Sequence, residues 1–354
     1  MQNREMDEKA GLEKPTLRRV AELFLVAICA YVIITSILFV AYLYSTPAAE
    51  NFSAKKIYIE KGTPFRSVVD DLYREGIISS KTFFNLLAHV TFSTKKIKAG
   101  EYIIPTPQKP LFVLKKLVLG LVAKYYITVP EGSSIYNISS LLDSYKIAQK
   151  ERFLALAGSK EVARQYGIDS RSLEGYLFPD TYVFTRGMDE KAIIDMMINR
   201  FRKAYPEDMD EKRKKLGITV DDLITIASIV EKETSLDREK PIIASIIYRR
   251  LKKNMRLQMD PTVIYGLKKW DGKLTKKDLS TDHDFNTYVR RGLPPGPISN
   301  PGLASIKATL NPSETTYLYF VSKNDGSHHF SRTLREHINA VNRYQKFTKG
   351  SRKK

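Results

Sequence analysis

The chain has 354 residues, 43% of them hydrophobic, with 16 Phe and 20 Tyr, which excludes a disordered polar chain and leaves room for two or three domains. Its formal net charge of +19 calls for anionic partners, yet the basic residues are scattered, with a short cluster only at Arg352-Lys353-Lys354. No nucleic-acid motif accompanies them, so nucleic acid is not an expected partner, whereas anionic lipid and an anionic cell wall are.

The first predicted element is a membrane span. Leu23 to Tyr44 is 22 residues without a charge; as a helix it covers about 33 Å, enough for the hydrocarbon core. Pro47-Ala48-Ala49 offers small residues for signal cleavage, but the apolar stretch exceeds a signal h-region, so an uncleaved anchor fits better. Arg18 and Arg19 abut the span, with Lys9 and Lys14 behind them, and the first basic residues beyond it are Lys55 and Lys56. The positive-inside bias therefore puts residues 1–22 in the cytoplasm and everything after the span outside. The single cysteine, Cys29, lies within the span, so the exterior part has neither a disulfide nor a thiol nucleophile.

An internal repeat follows at an offset of 70 residues. Ile57-Tyr58-Ile59-Glu60-Lys61-Gly62 lines up with Ile127-Thr128-Val129-Pro130-Glu131-Gly132, and Val68, Leu72, Ile77, Phe83 and Leu86 with Ile138, Leu142, Ile147, Phe153 and Leu156. After a four-residue slip, Gly100 to Pro105 faces Glu174 to Pro179. Each copy predicts strand, helix, helix, strand. In the first, Thr63 caps a helix with Pro64 at its first position, Gly76 stops it, and Ser79 and Ser80 start the second helix. Pro105 to Lys124 reads as a connection between the copies. The βααβ order is similar to the LysM module, which binds N-acetylglucosamine polymers; the alternative is a spacer without sugar affinity. At the end of the second copy, Glu174, Tyr176, Asp180 and Thr181 suit a saccharide groove, with rings to stack on sugars and carboxylates to accept hydroxyl hydrogens. A core strand followed by a turn is equally consistent with them.

Next comes a helix ending in two carboxylates, Ile224-Thr225-Ile226-Ala227-Ser228-Ile229-Val230-Glu231-Lys232-Glu233-Thr234, with Thr219 and Asp222 as a capping box at its start. At about 100° per residue, Leu223, Ile226, Ala227, Val230 and Thr234 share one face. Glu233 falls about 80° to one side of that face and Glu231 about 80° to the other, so helical geometry does not choose between them. Lys232 points to solvent. Negative charge at a helix C-terminus opposes the helix dipole and is not there for stability.

Arg256-Leu257-Gln258-Met259-Asp260-Pro261-Thr262-Val263-Ile264-Tyr265-Gly266 and Gly292-Leu293-Pro294-Pro295-Gly296-Pro297-Ile298 complete a set that resembles the endolytic murein transglycosylases, the YceG-like family of membrane-anchored enzymes that cut peptidoglycan. The resemblance runs from about Lys56 to Phe347. It implies an α+β fold: cytoplasmic residues 1–22, transmembrane helix 23–44, linker and LysM-like module 45–123, catalytic domain 124–347 beginning with the second βααβ copy, and basic tail 348–354. It places the protein in the bacterial cytoplasmic membrane with its catalytic domain periplasmic or extracellular. The expected partners are peptidoglycan glycan strands, membrane lipid, and penicillin-binding proteins with other cell-wall synthesis proteins. No metal or cofactor is expected.

In soluble lytic transglycosylases the catalytic glutamate is followed by serine, which points to Glu233-Thr234, with Glu231 as runner-up. One carboxyl then serves twice: protonated, it donates to the glycosidic oxygen; ionised, it takes the C6 hydroxyl proton of the same sugar, closing a 1,6-anhydro ring. An apolar flank raises its pKa as the first role demands. A lysozyme-like hydrolase would need a second carboxylate, and Glu231, Glu174, Asp180 and Asp260 are candidates. A non-catalytic wall-binding scaffold would need none. The resemblance offers Arg256, Gln258, Asp260, Thr262, Tyr265, Asn286 and Tyr288 as substrate contacts, with Gln258 and Asn286 suited to N-acetyl groups and the two tyrosines to stacking. With about ten residues, Ser45 to Ala54, between span and first repeat, cutting is expected close to the membrane, since that segment reaches at most about 35 Å. Ser53-Ala54-Lys55-Lys56 and Ser93-Thr94-Lys95-Lys96 meet an S-x-x-K form without the K-T-G that should accompany it. His328 and His329 are neighbours that point to opposite faces of a strand, a poor chelate.

Overall fold

The computed structural model describes residues 17–47 and 52–346; Lys9, Lys14, the Ala48-Ala49 pair and the basic tail lie outside the described residues. The chain divides into two compact units, Met1–Ala123 and Lys124–Lys354.

In the first unit, α1 (Leu17–Tyr44) is 28 residues long, and apolar side chains from Leu23 to Val40 stand exposed along it. Its last turns behave differently. Tyr42 is buried, Phe39 and Leu43 pack against the same core, and the Tyr42 hydroxyl donates to the Ser80 carbonyl at 3.3 Å. α1 is thus seated on the folded module, not joined to it only through a spacer.

That module runs β1 (Ser53–Ile59), α2 (Phe65–Arg74), α3 (Lys81–Val90), β2 (Gly100–Thr106) and α4 (Pro110–Leu119). β1 and β2 pair antiparallel with Ile57 opposite Tyr102, and Val68, Val69, Leu72, Phe84 and Leu87 close the core over them. Ser80 caps α3 as expected, its side chain accepting from the Phe83 N–H. Pro64, not Thr63, occupies the N-cap of α2, without a side-chain cap. α4 lies in the stretch the sequence reads as a connection. Its signals are Pro110 in the first turn, Gly120 in a left-handed conformation at the end, and buried Val113, Leu114 and Leu117 on one face.

The second unit opens with the repeat: β3 (Tyr125–Thr128), α5 (Ile135–Ser144), α6 (Lys150–Ala157), a short α7 (Lys160–Gln165) and β4 (Thr181–Phe184). Ile127 stands opposite Tyr182, as Ile57 stands opposite Tyr102. Tyr182 is therefore the counterpart of Tyr102, and the four-residue slip that matched Glu174–Pro179 to the strand is corrected. The inserted α7 and the turns after it push the strand further along. Then follow α8 (Glu190–Ala204), α9 (Met209–Leu216), α10 (Val220–Glu233), α11 (Lys240–Lys252), α12 (Asp260–Leu267), α13 (Lys276–Ser280), α14 (Leu303–Leu310), the hairpin β5 (Tyr319–Ser322) and β6 (His328–Ser331), and α15 (Leu334–Val341) running into a π-turn at Asn342–Lys346. Helices and antiparallel strand pairs are mixed, an α+β architecture.

α10 is the axis of this unit. Every residue from Leu223 to Val230 is buried, because α11, α12 and α14 enclose it. A helix apolar on all sides must be buried on all sides, and each large side chain so placed stabilises the fold by about 1.5–3 kcal/mol.

Candidate active site

Local chemistry fixes both ends of α10. The Thr219 hydroxyl accepts from the Asp222 N–H at 3.0 Å and the Asp222 carboxylate accepts from the Thr219 N–H at 3.0 Å, the reciprocal cap the sequence predicts. At the far end Thr234 turns extended, with φ −148° and ψ 142°, so Glu233 is the last helical residue. Midway, the Ser228 hydroxyl accepts the Ile298 N–H at 3.0 Å, tying the Pro-rich loop to the helix. Gly175 threads between: a Cβ there would lie 2.6 Å from Ile224 and 2.7 Å from Pro297, so only glycine lets the chain pass.

Glu233 opens into a cleft of about 590 Å³ lined by Arg250, Gln258, Asp260, Tyr288, Tyr319 and His328, among others. No hydrogen bond from the described residues reaches its carboxylate. Loss of solvent pushes its pKa up to about 8, the Asp260 charge adds to the rise, and Arg250 opposes it. A carboxyl group with that pKa is protonated at neutral pH and free to donate.

The residues around Glu233 are held by a frame behind them. Arg250 is buried, donates from Nε to the Leu318 carbonyl at 2.8 Å and from Nη1 to the Leu257 carbonyl, and lies over the Tyr319 ring. Thr287 accepts the Met259 N–H at 3.0 Å and meets Thr262 at 2.9 Å, fixing the turn at Gln258, whose φ of +53° aims it at the cleft. The Asn286 amide donates to the carbonyls of Leu279 and Thr281 while its oxygen accepts the Tyr288 N–H at 2.9 Å. Tyr288 in turn donates to Asp260. On the opposite wall Glu239 takes the His328 ring at 2.8 Å and accepts the Thr234 hydroxyl at 3.2 Å, binding the residue after Glu233 to the β5–β6 hairpin.

Glu231 faces elsewhere. Its carboxylate accepts the Gly302 N–H at 3.0 Å and the Ser305 hydroxyl at 2.6 Å, sits 3.8 Å from the buried Lys240 ammonium, and so caps the N-terminus of α14. The two carboxylates that helical geometry does not tell apart thus differ in what they touch.

Of the residues offered as ligand contacts, Glu233, Gln258, Asp260 and Tyr288 come together in this cleft. Four others are corrected by burial. Glu174 is enclosed, accepting the Ile135 N–H, the Asn300 amide at 3.0 Å and the Tyr265 hydroxyl at 3.0 Å, and desolvation raises its pKa to about 8. Thr262 and Asn286 are fully buried members of the frame. Tyr176 is buried with its hydroxyl on Asp221 at 2.9 Å, beside a different, larger cleft of about 960 Å³. That cleft holds no free helix-end carboxyl, so size does not make it the better candidate. Asp180 pairs with Arg200, and Thr181 meets Thr128 across the β3–β4 pair at 2.8 Å, both apart from the Glu233 cleft. Arg256 is exposed and outside the lining. Tyr265 lines a separate, smaller cavity.

Sequence reasoning missed Arg250, Tyr319, His328, Glu239 and Asn300. Arg250 had a signal: an arginine inside the apolar run of α11 is costly unless it is paired with carbonyls or rings. The sequence marks His328 only as half of a poor chelate. The opposite-face argument holds, since His328 lines the cleft while His329 packs against Tyr344. Asn300 carries no local signal, because its partners at Ser133, Glu174 and Leu177 are distant in sequence. Among the described residues no three His, Cys, Asp or Glu side chains gather as a metal set.

The model of the YceG-like family matches residues 57–343. An endolytic murein transglycosylase of Bacillus subtilis is 32% identical over 304 residues, covering 81% of this chain and 84% of that protein. One from Streptococcus pneumoniae is 28% identical over 332 residues; the match takes in 80% of this chain and spans 59% of the pneumococcal protein. A 2.6 Å crystal structure of a YceG-like protein from Listeria monocytogenes superposes with a TM-score of 0.57 at 31% identity, covering 82% of this chain and all of that one.

Proposed function

The chain belongs to the YceG-like family, and from that premise we propose that it is a membrane-anchored endolytic lytic transglycosylase, a lyase that cuts peptidoglycan glycan strands. The observation that carries this reading is Glu233: one carboxyl at the end of a buried helix, unbonded, in a polar cleft, with its pKa raised to about 8. It donates its proton to the oxygen of the bond between N-acetylmuramic acid and N-acetylglucosamine. The carboxylate left behind takes the C6 hydroxyl proton as that oxygen closes on C1, which restores the acid and leaves a 1,6-anhydro end. Such acid–base assistance contributes about 10²–10⁴ in rate. Arg250 supplies a positive charge facing the carboxylate formed midway. Gln258 and Tyr288 contact the sugars.

We further propose that α1 spans the bacterial cytoplasmic membrane with its N-terminus inside. The catalytic unit then lies outside, where it cuts nascent strands near the membrane and ends their elongation beside penicillin-binding proteins. The βααβ module is proposed to be LysM-like and to hold glycan.

Asp260 in the same cleft supports a second reading, a muramidase in which this carboxylate activates water. Labelled water separates the two. Full-length protein in detergent with purified glycan strands is expected to give anhydro-ended products without labelled oxygen, and Glu233→Gln to give none. Reducing ends carrying the label would mean hydrolysis.

A further inference from the structure

Beside the Glu233 cleft lies a second cavity, of about 280 Å³, that the chemistry above does not use. It is walled by Asn137 at the start of α5, Lys232, Pro261, Tyr265 and Trp270. Two rings line it, Tyr265 and Trp270, with centroids 6.0 Å apart, and Tyr136 packs beside them at 5.4 Å from Trp270. A cluster formed only for packing would bury its largest member, yet Trp270, the chain's single tryptophan, is 47% exposed. Asn137 spends its carbonyl oxygen on the N–H and hydroxyl of Ser134 at 3.0 and 2.8 Å. Asn137 is exposed, and its amide N–H groups, which donate to no other described residue, are open to solvent or a ligand.

Two chain neighbours tie this cavity to the cleft. Lys232 lines the cavity and Glu233 the cleft; Pro261 lines the cavity and Asp260 the cleft. The end of α10 and the start of α12 are therefore walls common to the two spaces.

We infer that the Trp270 cavity is a saccharide subsite for the same glycan strand, seating a sugar with an N-acetyl group one or more units from the bond cut at Glu233. The Trp270 face takes the apolar face of the ring, and the Asn137 amide donates to the acetyl carbonyl. The inference rests on the glycan-cutting reading and names how the strand is gripped.

Because Trp270 is the only tryptophan, its emission reports the subsite directly. Peptide-free glycan strands titrated into the full-length Glu233→Gln protein in detergent are expected to shift or quench that emission saturably. In the active protein, Trp270→Ala is expected to raise KM about tenfold, equivalent to about 1.4 kcal/mol of lost binding, with kcat within about twofold. Trp270→Phe, which keeps a ring face, should recover most of the loss, and unchanged thermal melting shows the exposed loop position is not needed for folding. Emission that stays constant at strand concentrations saturating cleavage, or an unchanged KM in Trp270→Ala, overturns the subsite and leaves the glycan-cutting reading intact. If the wild type cuts nothing while emission still responds, the subsite stands and that reading falls; if neither occurs, both fall.

Discussion

At the scale of single residues, the work is divided by environment, not by residue type. Glu231 and Glu233 are two positions apart in one helix, yet one is spent on the N-terminus of α14 and the other is left unbonded in a cleft. That division yields a pH dependence. In the proposed reaction Glu233 starts protonated, and its pKa is raised to about 8, so the acid form dominates below that pH and is lost above it. The kcat/KM of strand cleavage should therefore hold across neutral pH and fall about tenfold per pH unit beyond about pH 8. Burial is the main cause of the rise and Asp260 the second. Asp260→Asn removes a negative neighbour and should move the alkaline limb to lower pH, whatever it does to KM. A limb that stays in place, or moves upward, in a pH–rate profile of the variant would mean the Asp260 charge does not act on Glu233.

At the scale of elements, Glu231 links α10 to α14, and the consequence is a stability effect separable from catalysis. Glu231→Ala leaves the Gly302 N–H and Ser305 hydroxyl without their acceptor and the buried Lys240 with Asp237, at 3.1 Å, as its remaining anion. Urea unfolding should show a loss of about 1–3 kcal/mol, while activity well below the unfolding midpoint stays near wild type. Glu233→Gln should do the reverse, keeping the midpoint and losing the activity. The elements that could be read in advance are those whose signals are local: α10 with its Thr219–Asp222 cap, α3 with Ser80, and the strand–helix–helix–strand order of each repeat. α4 was also readable, from Pro110 and Gly120, but its short apolar run looked like a connection. The pairing of β3 with β4 was not, because the inserted α7 shifts the register and only the ladder, Ile127 on Tyr182, reveals it. Burial was the hardest property to foresee. Glu174, Thr262 and Asn286 look like sugar ligands in a row of letters; Glu174 is enclosed by Ile135 and Asn300, 39 and 126 residues away in sequence, Thr262 by Thr287, 25 residues away, and Asn286 by the carbonyls of Leu279 and Thr281.

At the scale of the whole chain, α1 and the first module form one folded unit, which changes what the proposed anchor is for. The sequence suggests a tether of about ten residues, but α1 ends inside the module's core: Tyr42 is 5% exposed, its ring lies 5.5 Å from that of Phe83, and its hydroxyl reaches the Ser80 carbonyl. If α1 spans the membrane, as proposed, the module is seated where the helix leaves the bilayer and not swung on a leash. Two measurements test this together. A reporter fused after Lys354 should be active only outside the cytoplasm, and activity inside would reverse the proposed orientation. Tyr42→Ala deletes a buried ring shared by anchor and module, and large-to-small changes of this kind cost about 3–5 kcal/mol. Hydrogen exchange on the full-length protein in nanodiscs should then show faster exchange in β1, β2 and α3 while α10 stays protected. Unchanged exchange in the module would show that the helix end contributes nothing to its core, and the flexible tether would be the better description.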